Sequence, residues 1–369
     1  MNNPRRLGLV SLAIVTACFL PACGSGPPVA PPGPPLIPAL PTPPAHDLYL
    51  TAVGDVLLDR GPGDVIQAYG PDCILQAVAG QLRGADITFC NLECPLSTVG
   101  PHMPSTMIFR ADPATVSVLT DGGFDIVSVA NNHTLDAGAA ALVETLDHLD
   151  AAGIKYVGSA RDPAHGSDPT FIQVQGLRVG FLAYTDLSFT HVSYSRVDAD
   201  LTQLRAQIAA ARGQCDLLLV SYHWGDQDVD VPNTRQVQVG HASIDAGADA
   251  VLGHHPHVLQ GVEFYRGCPI LYSMGDFVFD PTTTDRGESA VFELFYRRGA
   301  GWTLRLTPVT IPWVRMGPEY ALGAPGAAIL TRLQGLSAGL GTTLQIQDGF
   351  GYVSAPTALS NALPRDPRM

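Results

Sequence analysis

Three imidazoles within four positions, His254, His255 and His257 around Pro256, follow the apolar run Ala248-Asp249-Ala250-Val251-Leu252-Gly253. The run reads as a buried strand ended by glycine, so the histidines fall at a strand's carboxyl end, where open α/β sheets gather their chemistry. Imidazole is the commonest side-chain metal ligand. The chain has only 11 histidines, and three packed this tightly read as ligands rather than as a polar loop. Four other predicted strand ends carry groups of matching chemistry: Asp55 after Gly54, Glu93 after Asn91-Leu92, Asn132 with His133, and His223. A single carboxylate, amide or histidine at a loop means little, because such residues cap helices and form turns. Together they make a set of oxygen and imidazole donors without thiolate. Such a set suits one or two divalent ions, manganese, iron or zinc, and a bridging carboxylate lets two ions sit close enough to activate water and clamp an oxyanion. That chemistry hydrolyses phosphoesters and, in some sites, amides.

The elements that must position these residues alternate along the chain. Strands are expected from Leu48 to Val53, Ala85 to Phe89, Phe124 to Ala130, Phe171 to Val174, Arg178 to Tyr184 and Asp216 to Tyr222, and from Cys268 to Met274. Helices are expected near Ile74 to Leu82, at Leu142, Leu146 and Leu149, from Ala199 to Arg212, and from Thr234 to Ala246. The stretch from Asp216 to Tyr222 is nearly continuous in apolar residues, as in strands buried on both faces. Ala290 to Tyr296 and Trp302 to Thr310 read as antiparallel strands. Strand and helix alternation argues an α/β class, and the late strand pair argues a mixed or layered sheet system.

With 369 residues, 46% of them hydrophobic, the chain can bury a full core. Its formal charge of -13 argues against nucleic acid or anionic lipid held by the general surface field. Any anionic substrate must be drawn by a local cation, an arginine or a bound metal. The amino end carries Arg5 and Arg6 ahead of an apolar stretch from Leu7 to Leu20, too short for a stable membrane span, and reads as a secretory signal. It closes with Leu20-Pro21-Ala22-Cys23-Gly24, which resembles a bacterial lipobox; lipid on Cys23 would then hold the protein at a membrane, facing the periplasm or the cell exterior. The resulting expectation is a signal over 1–22, a proline-rich tether over 23–45, a folded domain over 46–320 and its carboxyl-terminal extension, frayed at the end, over 321–369. Of the remaining cysteines, Cys90 and Cys94 could bridge in an oxidising compartment if the loop between them turns back.

At Gly54-Asp55, Asn91-Leu92-Glu93-Cys94-Pro95-Leu96, Ala130 to Gly138, His223-Trp224-Gly225, Gly253 to His257 and Ser273-Met274-Gly275-Asp276-Phe277 the chain resembles the bacterial capsule-synthesis CapA family, also called the poly-γ-glutamate synthesis PgsA type, an offshoot of the calcineurin-like metallophosphoesterases. The resemblance runs from about Leu48 to Asp280. It implies a calcineurin-like sandwich of two mixed β-sheets flanked by helices. It implies Glu93 as the bridging carboxylate, Asn132, His223 and His255 completing one metal site, and Asp55 and His257 serving the other. His133 would protonate a leaving group with Asp136 orienting its imidazole, or would be a structural helix-entry residue. The implied role is hydrolysis in the cell envelope on an anionic polymer, phosphoester or γ-glutamyl substrate; the alternative is a non-catalytic metal-binding accessory protein beside membrane polymer-synthase subunits. Three departures from the phosphoesterase pattern stand out. Leu57 occupies the third position of Asp-x-His, Glu93 replaces an aspartate, and Asp276 stands where the family often has asparagine, as a possible strand cap. His254 and Asp59 are spare candidates that read as surface or turn residues, and His102, His191 and His241 read as bland. Arg60 and Arg110 lie near site loops and could bind a carboxylate or phosphate bidentately or be solvated surface groups.

Overall fold

The computed structural model describes residues 36–100, 108–187 and 193–355. The expected signal, Cys23, His102, His191 and the stretch from Leu359 to Met369 lie outside the described residues. In chain order the strands are β1 (Leu48–Val56), β2 (Ile87–Leu92), β3 (Ile126–Ser128), β4 (Lys155–Val157), β5 (Thr170–Val174), β6 (Leu177–Thr185), β7 (Leu217–His223), β8 (Ala250–His254), β9 (Val262–Tyr265), β10 (Cys268–Leu271), β11 (Asp276–Val278), β12 (Glu288–Arg297), β13 (Gly301–Thr310), β14 (Glu319–Tyr320), β15 (Leu344–Gln347) and β16 (Phe350–Ser354). The helices are α1 (Arg60–Tyr69), α2 (Asp72–Leu75), α3 (Ala79–Leu82), α4 (Val116–Gly122), α5 (Ala139–Ala151), α6 (Thr202–Arg212), α7 (Thr234–Ala246) and α8 (Ala324–Gly339).

Two mixed sheets stack face to face with helices outside them, as the sequence pattern requires. The larger sheet runs β15-β16-β13-β12-β1-β2-β3-β4, with β11 beside β1 and β14 beside β13; the smaller runs β5-β6-β7-β8-β10-β9. Between them lies one apolar layer containing Leu50, Phe89, Phe181, Leu219, Leu252 and Phe292. The outer face of the larger sheet, with Val53, Cys90 and Val127, is covered by Leu119 of α4 and Leu142 and Leu146 of α5. Leu204 and Ile208 of α6 and Val239 and Ile244 of α7 cover the smaller sheet with Val220 and Val251. Both faces of β1 and β7 are buried along their whole length, which is why these strands read as unbroken apolar runs.

Parallel pairing sets the site. β1, β2 and β3 run parallel, as do β6, β7 and β8, so their carboxyl ends gather at one end of the sandwich. β12 pairs with β1 only through Ala52; beyond it β11 takes over as the neighbour, in parallel, with Asp276 opposite Asp55. Gly54 permits the exchange, because a Cβ there would come within 1.9 Å of the Gly275 carbonyl oxygen.

Several expectations change in detail. The helix expected from Ile74 to Leu82 is two single turns, α2 and α3, because the Val78 N–H bonds to Leu75 O in a tighter turn between them. Cys90 and Cys94 are both free; Cys94 Sγ instead accepts the Leu58 N–H. The late strands are antiparallel as expected, and the carboxyl-terminal residues add α8 and the hairpin β15–β16, which extends the larger sheet along β13. Among the described residues no helix is long and apolar enough to cross a membrane.

On the outer side of the larger sheet Glu293 of β12 faces Arg305 of β13 in register. Arg305 donates to both carboxylate oxygens, Nε to Oε2 at 2.5 Å and Nη2 to Oε1 at 2.7 Å, and the Tyr49 hydroxyl donates to Oε1 as well. A second terminal nitrogen of Arg305 reaches the carbonyl of Pro41, which ties the end of the proline-rich stretch to the sheet. Both charged side chains are almost wholly buried. Removing one partner leaves an uncompensated charge, so Arg305→Met should lower unfolding free energy by about 3–5 kcal/mol in urea melts. The double variant Arg305→Met, Glu293→Leu should recover most of it; a loss below about 1 kcal/mol for the single change would contradict this account.

Candidate metal centre

The loops leaving β1, β2, β3, β7 and β8 deliver the polar cluster. Asp55 is the penultimate residue of β1, Glu93 follows β2, and Asn131 to Asp136 form the turn between β3 and α5. His223 is the last residue of β7, and His254 the last of β8. His255 and His257 follow with φ of 97° and 58°, left-handed values that a side chain with a Cβ rarely adopts. Backbone strain of this kind persists only where the surroundings impose it. Here the His255 N–H donates to Asp55 Oδ2 at 3.2 Å, and the Asp228 N–H donates to Pro256 O at 2.9 Å, which holds the loop from both sides.

Three side-chain atoms converge at one edge of the cluster. His223 Nε2 lies 2.7 Å from Asn132 Oδ1 and 3.0 Å from His255 Nδ1. Such spacing fits neighbouring ligands around one ion about 2.0–2.2 Å from each. Ligand atoms of Asp55, Glu93 and His223 lie within 4.8 Å of one another, and so do those of Asp55, His257 and Asp276. Asp55 is common to both groups. His257 Nδ1 is 2.7 Å from Asp276 Oδ1 and 3.6 Å from Asp55 Oδ2, while its Nε2 is 3.7 Å from Glu93 Oε1. Asp55, Glu93 and Asp276 are fully buried, and Glu93 Oε1 and Asp276 Oδ2 have no hydrogen-bond partner. Buried carboxylate oxygens without donors fit cation ligands, since an unpaired buried charge is otherwise costly.

His133 stands at the rim. Its Nδ1 is 2.7 Å from Asp136 Oδ2, and its Nε2 is 3.8 Å from Glu93 Oε1. The Phe109 ring stacks on it at 4.0 Å. Asp136 also accepts the Phe109 N–H, so one carboxylate fixes both the imidazole and the ring against it. The structure thus brings Asp55, Glu93, Asn132, His133, Asp136, His223, His255 and His257 to one place.

Other side chains depart from their sequence reading. His254 is wholly buried rather than at the surface, because β8 lies inside the smaller sheet; its Nδ1 is 3.2 Å from Asp55 Oδ1. Asp276 is no simple strand cap, being buried against His257. Asn91 and Asn131 are positioning groups that the sequence reading quoted but did not assign. Asn91 donates to Asp55 Oδ1 at 2.9 Å, and Asn131 donates to Asn91 Oδ1 and to Leu92 O while accepting the His133 N–H. Arg60 pairs with Asp280 and Arg110 with the carbonyls of Thr98 and Gly100. Both line a cavity of about 950 Å3 beside Phe109, which contains none of the imidazoles. Asp59 accepts the Arg110 N–H, and His241 sits half-buried on α7 against Glu263.

Proton affinities follow the packing. Burial, reinforced by Asp55 and Asp276, holds the Glu93 carboxyl well above its usual range. Burial pushes Asp276 up to about 6, against the pull of His257. Burial would raise Asp55 too, but the hydrogen bond and charge of His254, with His223 and His257, leave it lowered. His223 is lowered well below its usual value by burial and His255, and His255 to about 3 by burial and His257. Both are therefore neutral and have a lone pair for a metal. For His257 burial is outweighed by Asp276, which raises it.

Residues 49–281 match the model of the family described as bacterial capsule synthesis protein PGA_cap. The chain belongs to that family. A capsule biosynthesis protein CapA of Bacillus anthracis is 30% identical to this chain over 277 residues, covering 72% of this chain and 67% of its own. A PGA biosynthesis protein CapA of Bacillus subtilis is 30% identical over 272 residues, covering 72% of each. Similar solved structures include a phosphatase from Mycoplasma pneumoniae, with TM-score 0.43 and 12% identity over 73% of this chain and 90% of that one. A 5'-nucleotidase from Candida albicans has TM-score 0.39 and 10% identity over 80% of this chain and 59% of the other.

An ion taken up beside Glu93 and Asp276 would compete with the protons that burial favours on both. Divalent-ion occupancy after dialysis, read by elemental analysis, should therefore rise as pH increases through about 6. Occupancy that stays flat from pH 5 to 8 would argue that no ion sits beside these carboxylates.

Proposed function

We propose that this PGA_cap protein is a metal-dependent hydrolase of the cell envelope, acting on a phosphoester or γ-glutamyl bond in the making or trimming of an anionic capsule polymer. The observation that carries it is the convergence of Asn132 Oδ1, His223 Nε2 and His255 Nδ1 beside buried carboxylates, with the His133–Asp136 pair at the rim. Asp55, Glu93, Asn132, His223, His255 and His257 would hold one or two ions of manganese, iron or zinc. Such ions, when bound, supply Lewis acidity and an activated water. The protein supplies the rest. Asp136 accepts a hydrogen bond from His133 Nδ1–H and so supports the ring when it is protonated at both nitrogens; the Nε2–H, aimed toward Glu93, can then pass to a departing oxygen or nitrogen, leaving the neutral Nδ1–H ring. Phe109 on the imidazole keeps that proton path from bulk water. Lipid on Cys23 would hold the domain outside the membrane, near polymer-synthase subunits.

The chain's charge of -13 opposes long contact with a polyanion, so recognition would be confined to the centre. A second reading, a metal-stabilised accessory protein without turnover, is favoured by Leu57, whose buried apolar side chain stands where the phosphoesterase pattern has an imidazole. The two part on one comparison. His133→Gln should keep the wild-type metal content and lose about 10²–10⁴-fold in turnover. Wild-type protein with its ions bound and no turnover on phosphoesters or γ-glutamyl peptides would leave only the accessory role.

A further inference from the structure

The first metal site of the phosphoesterase pattern loses a ligand at Leu57, whose side chain is buried in the apolar layer under α1 to α5. Asp276 lies where a replacement is needed. It is opposite Asp55 in the parallel pairing of β11 with β1, fully buried, and within 4.8 Å of ligand atoms of both Asp55 and His257. Its Oδ1 receives His257 Nδ1 at 2.7 Å, whereas its Oδ2 has no partner. Orientation of His257 engages Oδ1 alone, as a carboxylate beside a ligating imidazole does. Oδ2 is left buried without a donor, where a cation would satisfy it.

We propose that Asp276 is itself a metal ligand, and that the centre therefore has two unlike halves: an oxygen-rich half formed by Asp55, Asp276 and His257, and an imidazole-rich half formed by Asn132, His223 and His255, with Glu93 between them. Carboxylate-rich sites suit manganese or magnesium, and imidazole-rich sites suit iron or zinc. The resting protein then carries a mixed pair, with the harder ion beside Asp276. The inference rests on the metal-centre reading above and extends it to ligand identity and ion choice.

The test uses the folded protein, stripped with chelator and reloaded with manganese and zinc together, with content read by elemental analysis. Wild type should hold about two ions per chain, one of each. Asp276→Asn keeps an acceptor for His257 Nδ1–H but removes the charge, and should hold about one ion, with manganese lost and zinc kept. Two ions in wild-type proportion in Asp276→Asn would overturn the proposal and leave Asp276 as a positioning residue for His257. No ion in the reloaded wild type would instead overturn the metal centre as a whole. Should the variant fail to fold, pulsed electron paramagnetic resonance of wild type carrying manganese decides the matter: coupling to one imidazole nitrogen supports the oxygen-rich half, and coupling to two or more overturns it.

Discussion

Three carboxylates, Asp55, Glu93 and Asp276, are shut away from water at one end of the sandwich, and the rest of the molecule is arranged around the electrostatic problem this creates. Charge without solvent must be matched by donors, by protons or by a cation. Asn91, the His255 N–H and the imidazoles of His254 and His257 satisfy part of it, chiefly at Asp55. What remains is unbalanced at Glu93 Oε1 and Asp276 Oδ2, which lack partners. Arg286 is bound to Asp228 at the outer side of the histidine loop rather than to any of the three.

The fold concentrates these groups through strand ends rather than through one local motif. Parallel pairing in each sheet points five loops to the same end, and the missing Cβ of Gly54 lets β11 slide in beside β1 where β12 turns away. The groups that bear chemistry lie in the last residues of packed strands, as Asp55 and His223 do, or in the turns that leave them, as Glu93, Asn132 and His255 do. Rigid support of that kind is what a polar site needs if its geometry is to be held against repulsion.

Much of this was readable from residue order. Buried parallel strands announce themselves as apolar runs, and their ends announce themselves as Gly-Asp, Asn-His and His-x-His, so Asp55, Asn132, His223, His255 and His257 could be picked out one by one. His254 could not, because alternation within a strand end leaves open which imidazole turns inward, and pairing with β7 and β10 decides it. Asp276 was legible as a departure but not as a neighbour of Asp55, since only the switch from β12 to β11 along β1 puts the two side by side. Asn91 and Asn131 have the same character: amides are common at turns, and only a chain of hydrogen bonds through Asp55, Asn91 and Asn131 to the His133 backbone marks them out. The broken helix over α2 and α3 shows the limit of periodicity, which reports which side chains are buried and not whether the backbone between them is continuous.

The left-handed backbone at His255 and His257 has a kinetic meaning as well as a geometric one. Strain already present in the protein alone is not added when a ligand arrives, so the imidazoles need no large rearrangement to meet one. The slow step of capture would then belong to the ion, in shedding its hydration shell, and the slow step of release to the loop, which would have to give way before an ion could leave. Any ion taken up by a centre built like this would leave it sluggishly and would record what was present when the centre was filled.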